Sequence, residues 1–334
     1  MKAYITGSGM SVPEGTVTNE ELAERLGLDA EQIFKSSGIR RRRFAAPGTT
    51  TSSLAANALR TALEDARLDA AEIDYLIFGT MTPDRFIPGS SPSVQKSLSL
   101  REIPCLDIRA ACCNALYALQ LARALVRDGA ARCVAICLAE IQSAFLDLSP
   151  ASGTISMLFG DGASALIVSG HEGEGALEIL DVYLATNGEY VDDLGLRAPG
   201  AEFGAGHAPE RAGSASDYFP RLVGQSVILQ ASRKIVAASQ AVLERNSLAA
   251  GDVSWMVPHQ ANANLLAQVA RGLKFSTEGE RVVSVIEDYG NTSSASMGMA
   301  LDTLRRSGRI RQGDYLLLPA FGAGFTWGAG LCRA

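Results

Sequence analysis

The chain has 334 residues and a formal net charge of −6, long enough for two domains or two fused halves and the wrong sign for a main partner of nucleic acid. Some 47 % of the residues are apolar and 33 are glycine, the composition of a folded α/β enzyme rather than a disordered chain. No apolar run is long enough to span a membrane, and MKAYITGSG is too short for a signal peptide. Six cysteines without C-x-x-C spacing form neither a disulfide framework nor a zinc site, which points to a reducing cytoplasm.

Residues 2–6 predict a first strand, and GSGM at Gly7–Met10 a turn that lacks the third glycine of a dinucleotide fingerprint. Short helices are expected over Asn19–Leu26, capped by Thr18 or Asn19, and over Asp29–Ser36. The basic run Arg40–Arg43 reads as a solvated turn. Ser52–Arg67 is an amphipathic helix and Ile73–Gly79 a buried strand. A Pro/Gly/Ser-rich loop at 82–92, a helix near Ser93–Leu100 and a strand over Pro104–Ile108 follow. The strand leads to Cys112 and Cys113 and then to a helix through Val126 that is apolar on most faces, hence central and buried. A thiol in its first turn meets unpaired N–H groups and the positive end of the helix dipole, which favour thiolate. Either cysteine could equally be a small core residue.

Ala131–Leu138 is another apolar strand, and FGDGAS at 159–164 a tight turn before the strand that closes the first half. After Glu178–Thr186, a Gly/Ala/Pro-rich loop runs from Asn187 to about Asp217, a length typical of lids or linkers. The second half then repeats the first. Thr61–Thr80 and Ala241–Gln260, offset by 180 residues, agree in type at Leu63/Leu243, Glu64/Glu244, Leu68/Leu248, Ala70/Ala250, Ile73/Val253 and Ile77/Val257. A weaker echo pairs Ala122–Leu138 with Leu301–Leu318. Two echoes in the same order indicate a duplicated βα unit whose strand ends meet at a shared site.

Chemistry-bearing residues fall at those ends: Cys112, His259 in VPHQAN, and Asn291 in DYGNTSSASMGMAL. The other histidines, His171 and His207, lie in polar, Gly-rich surroundings. A thiolate takes an acyl group as a thioester. Neutral imidazole N–H and carboxamide N–H₂ both donate to an oxygen that gains charge. Cys-His-Asn in this order fits a papain-like hydrolase, or an enzyme that stabilises the enolate of a decarboxylating malonyl thioester. The hydrolase reading lacks its Cys-Gly-Ser-Cys-Trp-like signature. FGAGFTWGAG at 321–330 supplies a further turn where backbone can approach a ligand.

With SGIRRR, DIRAACCNALYAL, FGDGA, VPHQAN, GNTSSAS and FGAGFTWG in succession, the chain resembles the thiolase superfamily, and within it the 3-oxoacyl-(acyl-carrier-protein) synthase III family. The resemblance implies a five-layered αβαβα fold of two duplicated halves, 1–172 and 173–334, and a homodimer. It implies Cys112 as acyl-accepting nucleophile, His259 and Asn291 as the decarboxylation pair, and an oxyanion hole from the N–H groups of Cys112 and Ala323. Acyl-coenzyme A or acyl-carrier protein and malonyl-carrier protein would be substrates, without metal or redox cofactor. Departures cluster where the family binds coenzyme A and carrier protein. Gln32 stands for a stacking Trp, Ser36 and Ser152 for arginines, and Asn264 for a docking Arg. Each lost stack or cation is worth roughly 1–3 kcal/mol. Arg109 and Asn114 replace small residues beside Cys112 and suggest an altered acyl group. Transfer to an oxygen or nitrogen nucleophile, a hydroxymethylglutaryl-coenzyme A synthase-like enzyme (which wants a carboxylate near Gly79–Thr82, where the chain has Met81) and a non-catalytic partner subunit are the other readings.

Overall fold

The computed structural model describes residues 1–201, 215–276 and 278–334; His207 and part of the 187–217 loop lie outside them. Nine strands form the main sheet system: β1 (Tyr4–Ser11), β2 (Tyr75–Gly79), β3 (Cys105–Ile108), β4 (Cys133–Glu140), β5 (Gly162–Ser169), β6 (Leu177–Thr186), β7 (Val253–Met256), β8 (Tyr315–Gly322) and β9 (Thr326–Arg333). Their order is β7-β8-β9-β6-β1-β5-β4-β2-β3. It splits naturally at β1/β6, joined only through Tyr4↔Glu178 and Ile5↔Leu177. On one side stand β1-β5-β4-β2-β3, on the other β6-β9-β8-β7, the second repeating the first four strands of the first without a counterpart of β3.

The main helices are α1 (Asn19–Leu26), α2 (Ala30–Ser37), α3 (Thr51–Ala66), α4 (Ser91–Ser97), α5 (Asn114–Asp128), α6 (Gly224–Arg245), α7 (Ala263–Gly272) and α8 (Ser296–Arg306). Helices α5 and α8 share one core with both sheets. Helices α3 and α4 cover the outer face of the first sheet, and α6 and α7 that of the second. This is the five-layered αβαβα arrangement. Small residues let α5 lie between the sheets: Ala115, Ala118 and Ala122 are buried beside Leu116 and Leu119, and each such leucine contributes roughly 1.5–3 kcal/mol by burial.

The internal repeat is visible in detail. After α3 come Arg67 at φ 54°, the 3₁₀ turn Ala70–Glu72 and β2; after α6 come Ser247 at φ 57°, the 3₁₀ turn Ala250–Asp252 and β7. The turns opening the central helices match too. Ala111 (φ 49°) begins Ala111–Cys113 before α5, and Ser293 (φ 47°) begins Ser293–Ala295 before α8.

Three local expectations are corrected. Gly7–Met10 is not a turn but the middle of β1. Its glycines admit α3: a Cβ on Gly7 or Gly9 would come within 2.4 Å of the Ala62 or Ala58 carbonyl oxygen. Arg40–Arg43 is no solvated turn. Arg41–Arg43 pairs with Thr16–Thr18, and the Arg42 guanidinium is buried, donating to Asn19 Oδ1 and the Met157 carbonyl, both at 2.8 Å. The Gly160 turn approaches protein rather than ligand, since a Cβ there would lie 2.3 Å from the Tyr289 carbonyl oxygen.

Candidate active site

Both halves contribute to one cavity of about 620 Å³. Strand β3 ends at Ile108, and the left-handed bend at Ala111 turns the chain so that Cys112 precedes α5. Such a bend in a non-glycine residue costs of order 1–3 kcal/mol and persists only where packing holds it. Cys112, His259, Asn291 and Ala323 all line the cavity, with Ser293 among them. The turn bearing Ala323 is pressed against the thiol segment, for a Cβ on Gly322 would lie 2.8 Å from the Cys112 amide nitrogen.

The Cys112 thiol touches no base directly. Its side-chain hydrogen-bond partner is Ser293 Oγ at 3.5 Å. Burial pushes the thiol up to about 11, with the Glu140 charge adding to the rise and the Ser293 hydroxyl opposing it. The expectation of a resting thiolate is therefore corrected: desolvation outweighs the helix end. Cys113 is buried, donates to the Thr326 carbonyl at 3.3 Å, and packs in the core.

His259 follows β7 and is held from both sides. Its backbone N–H reaches the Pro319 carbonyl at 3.0 Å, and Nδ1 lies 2.7 Å from Ser296 Oγ. Gln260 N–H also donates to that hydroxyl, at 3.0 Å. Ser296 Oγ also lies 2.9 Å from the Ser293 carbonyl; when its one proton goes to Nδ1 instead of that carbonyl, the neutral ring carries its own proton on Nε2 as a donor. Burial pushes the imidazole down to about 4, so the ring is neutral near pH 7. Asn291 is oriented by a 2.8 Å bond from Ser293 N–H to its Oδ1. Its amide nitrogen then makes only a long 3.5 Å contact to the Ala261 carbonyl, leaving donor capacity at the cavity. The pair thus offers two neutral donors to an oxygen gaining negative charge.

The residues expected to bind substrate divide. Arg109, Ser36 and Asn264 line the cavity; Gln32, Ser152 and Asn114 do not. Asn264 is nonetheless committed elsewhere, its amide donating at 3.0 Å to the Lys35 and Ser36 carbonyls that end α2. Gln32 is exposed on α2. Ser152 Oγ donates to Asp147 Oδ2 at 2.8 Å, so a serine committed to a carboxylate stands where the family's arginine would. Asn114 is fully buried and accepts the Ala110 N–H at 2.6 Å; it braces the Cys112 turn rather than meeting an acyl chain. Sequence reasoning missed Ser293 and Ser296, although both lie in GNTSSAS. It also missed the apolar wall from α6 and α7, which includes Val227, Ile228, Leu265 and Leu266. Leu194, Leu196 and Pro199 show that the loop after β6 forms part of that wall. Among the described residues no cluster of His, Cys, Asp and Glu could hold a metal ion, and no helix is long and apolar enough to cross a membrane.

A duplicated five-layer fold whose halves share one thiol-bearing cavity is thiolase architecture, and the chain is of that class. Comparison narrows the class. The 3-oxoacyl-(acyl-carrier-protein) synthase III family model matches residues 106–188, and the model of its C-terminal part matches 243–334. The beta-ketoacyl-(acyl-carrier-protein) synthase III of Chlamydia caviae is 37 % identical over 332 residues, 99 % of this chain and 97 % of that protein. The crystal structure of the Aquifex aeolicus 3-oxoacyl-(acyl-carrier-protein) synthase III superposes with TM-score 0.89 at 30 % identity, covering 99 % of this chain and 100 % of the other. The priming beta-ketosynthase of the R1128 polyketide pathway gives 0.88 at 32 % identity, over 99 % and 95 %. The chain belongs to the 3-oxoacyl-(acyl-carrier-protein) synthase III family and is an acyltransferase. Membership sets the papain-like reading aside.

Proposed function

We propose that the protein joins an acyl group to a malonyl thioester by decarboxylative Claisen condensation. The observation that carries this is the convergence of Cys112, His259, Asn291 and Ala323 on one cavity. Cys112 Sγ attacks the carbonyl carbon of an acyl thioester. The tetrahedral oxygen is held by the N–H groups of Cys112 and Ala323, and the donor thiol leaves with the proton that Cys112 gives up. The malonyl thioester then loses carbon dioxide while His259 Nε2–H and the Asn291 amide hold its carbonyl oxygen. The enolate carbon attacks the acyl-cysteine, and Cys112 is released and reprotonated. Residues 1–172 and 173–334 are taken as the duplicated halves, supported by the repeated strand order. Six unpaired cysteines suit a reducing cytoplasm.

Positions 32, 36 and 152 offer no aromatic face and no cation, and Asn264 is occupied by α2. The nucleotide therefore lacks its expected partners at those four positions, and the donor is held chiefly by its pantetheine arm and acyl chain. Acyl-pantetheine is expected to load Cys112 within about threefold of the corresponding acyl-coenzyme A, since the stacking and phosphate-pairing gains are missing. A loading rate lower by two orders of magnitude without the nucleotide would remove this reading. Assayed with labelled malonyl donors across a panel of acyl thioesters, carbon dioxide release tests the condensation itself. Acylation without release would indicate transfer to oxygen or nitrogen instead.

Partner reading extends to a second copy of the chain. Strand β3 is a sheet edge with Leu106 exposed; Phe86, which lines the cavity, and its neighbour Ile87 are 76 % and 78 % exposed. An unprotected edge with large apolar neighbours is covered in most soluble proteins. Sedimentation is expected to give a dimer; a monomer at micromolar concentration would exclude it.

A further inference from the structure

Glu140, at the end of β4, is a fully buried carboxylate to which the mechanism above gives no part. Every polar contact it makes comes from a donor. Ser294 Oγ donates to Oε1 at 2.5 Å, and Met81 N–H reaches both oxygens at 3.1 and 3.2 Å. Thr82 Oγ donates to Oε2 at 3.0 Å, Gln142 Nε2 at 3.3 Å, and Thr80 Oγ lies 3.4 Å away. Thr82 Oγ is itself fixed, accepting Ile141 N–H at 2.8 Å. A carboxylate therefore does reach the Gly79–Thr82 loop, from sixty residues along the chain, but it stands behind the cavity wall and does not line it. That position rules out a general base acting on substrate.

The contacts join two segments that flank the thiol. Met81 and Thr82 line the cavity from the first half; Ser293, beside Ser294, carries the hydroxyl at Cys112 Sγ from the second. We propose that Glu140 is the positioning residue of the nucleophile: it clamps the Met81–Thr82 loop to the Ser293–Ser294 turn, and its negative charge opposes ionisation of Cys112. No cation is paired with Glu140 among the described residues, so the charge is not cancelled locally. The groups facing it from β2, from the turn before α8 and from the end of β4 are the neutral Thr80, Thr82, Ser294 and Gln142. Cys112, opening α5, is the titratable side chain on which its charge acts. Burial raises the Glu140 carboxyl itself to about 7, so it is charged across the range in which a thiol titrates. The Glu140 charge thus adds to the burial that keeps the resting Cys112 thiol protonated.

The proposal rests on Cys112 being the nucleophile, yet its test needs no acyl transfer. Thiolate absorbance of Cys112, taken against the Cys112→Ala variant, reports the thiol directly. Glu140→Gln is expected to lower the titration midpoint by about one pH unit, about tenfold more thiolate at a given pH, whereas Glu140→Asp keeps the charge and the original midpoint. Ser294→Ala, which releases the Ser293 turn but spares the charge, is expected to raise the midpoint as the Ser293 hydroxyl moves away from the Cys112 sulfur. A purely structural Glu140 would change the melting temperature and leave all midpoints coincident, which overturns the proposal. Should Glu140→Gln not fold, an unmoved midpoint in Ser294→Ala overturns it equally. Failure of every acyl donor to label Cys112, with the midpoints moving as expected, would remove the nucleophile reading and leave the effect of Glu140 on the thiol standing.

Discussion

Cys112→Ala is expected to abolish the acyl adduct seen by intact mass after incubation with acyl thioesters, while Cys113→Ala still forms it. The two side chains are adjacent in sequence and separated by environment. Cys112 lines the cavity beside Ser293, whereas Cys113 is buried with its thiol on the Thr326 carbonyl. Loss of the nucleophile removes covalent catalysis outright, leaving at most a residual contribution from donor groups and binding. Cys113→Ala deletes one sulfur from a packed core and costs stability of order 1 kcal/mol, a shift in melting temperature rather than in labelling. An adduct that survives in Cys112→Ala and maps to Cys113 would refute the assignment.

The second large effect separates loading from condensation. His259→Ala and Asn291→Ala are each expected to cut carbon dioxide release from a malonyl thioester by about 10²–10³-fold, the magnitude of a lost oxyanion donor. The acyl-Cys112 adduct should still form in both, because the N–H groups assigned to that step belong to Cys112 and Ala323. The pH profile offers a second check. Burial holds the His259 ring neutral down to about 4, so release should show no acid limb from ring protonation between about pH 5 and 8, despite an ordinary imidazole value near 6.5. Wild-type release in both variants, or a limb near 6.5, would refute the paired-donor role.

Much of this was legible beforehand because its signals are local. Helix α1 with its Thr18 cap, α3 as an amphipathic face, and the matched segments at 61–80 and 241–260 are written in adjacent residues and in periodicity. Cys112, His259 and Asn291 were findable because strand ends before turns mark ligand sites in α/β sheets. What escaped depends on contacts between distant segments. Nothing around Glu140 in CLAEIQ announces that Met81, Thr82 and Ser294 will converge on it. Asn264 looked like a surface position until α2 arrived to take its amide. The thiol's resting state also escaped, because desolvation is a property of the assembled layers and not of the helix that carries the cysteine.

The matched bends at Ala111 and Ser293 have a consequence for how the protein divides its labour. Superposing the two turns by register sets Cys112 against Ser294, and Asn114 against Ser296. One copy of the bend turns its second residue toward substrate; the other turns the same residue inward, onto a buried acid. The fourth residue braces the backbone in one copy and steers an imidazole in the other. A single inherited motif has become tool in one half and toolholder in the other. Neither half carries a complete reaction centre, and any slippage between them is felt first as distance between sulfur and hydroxyl.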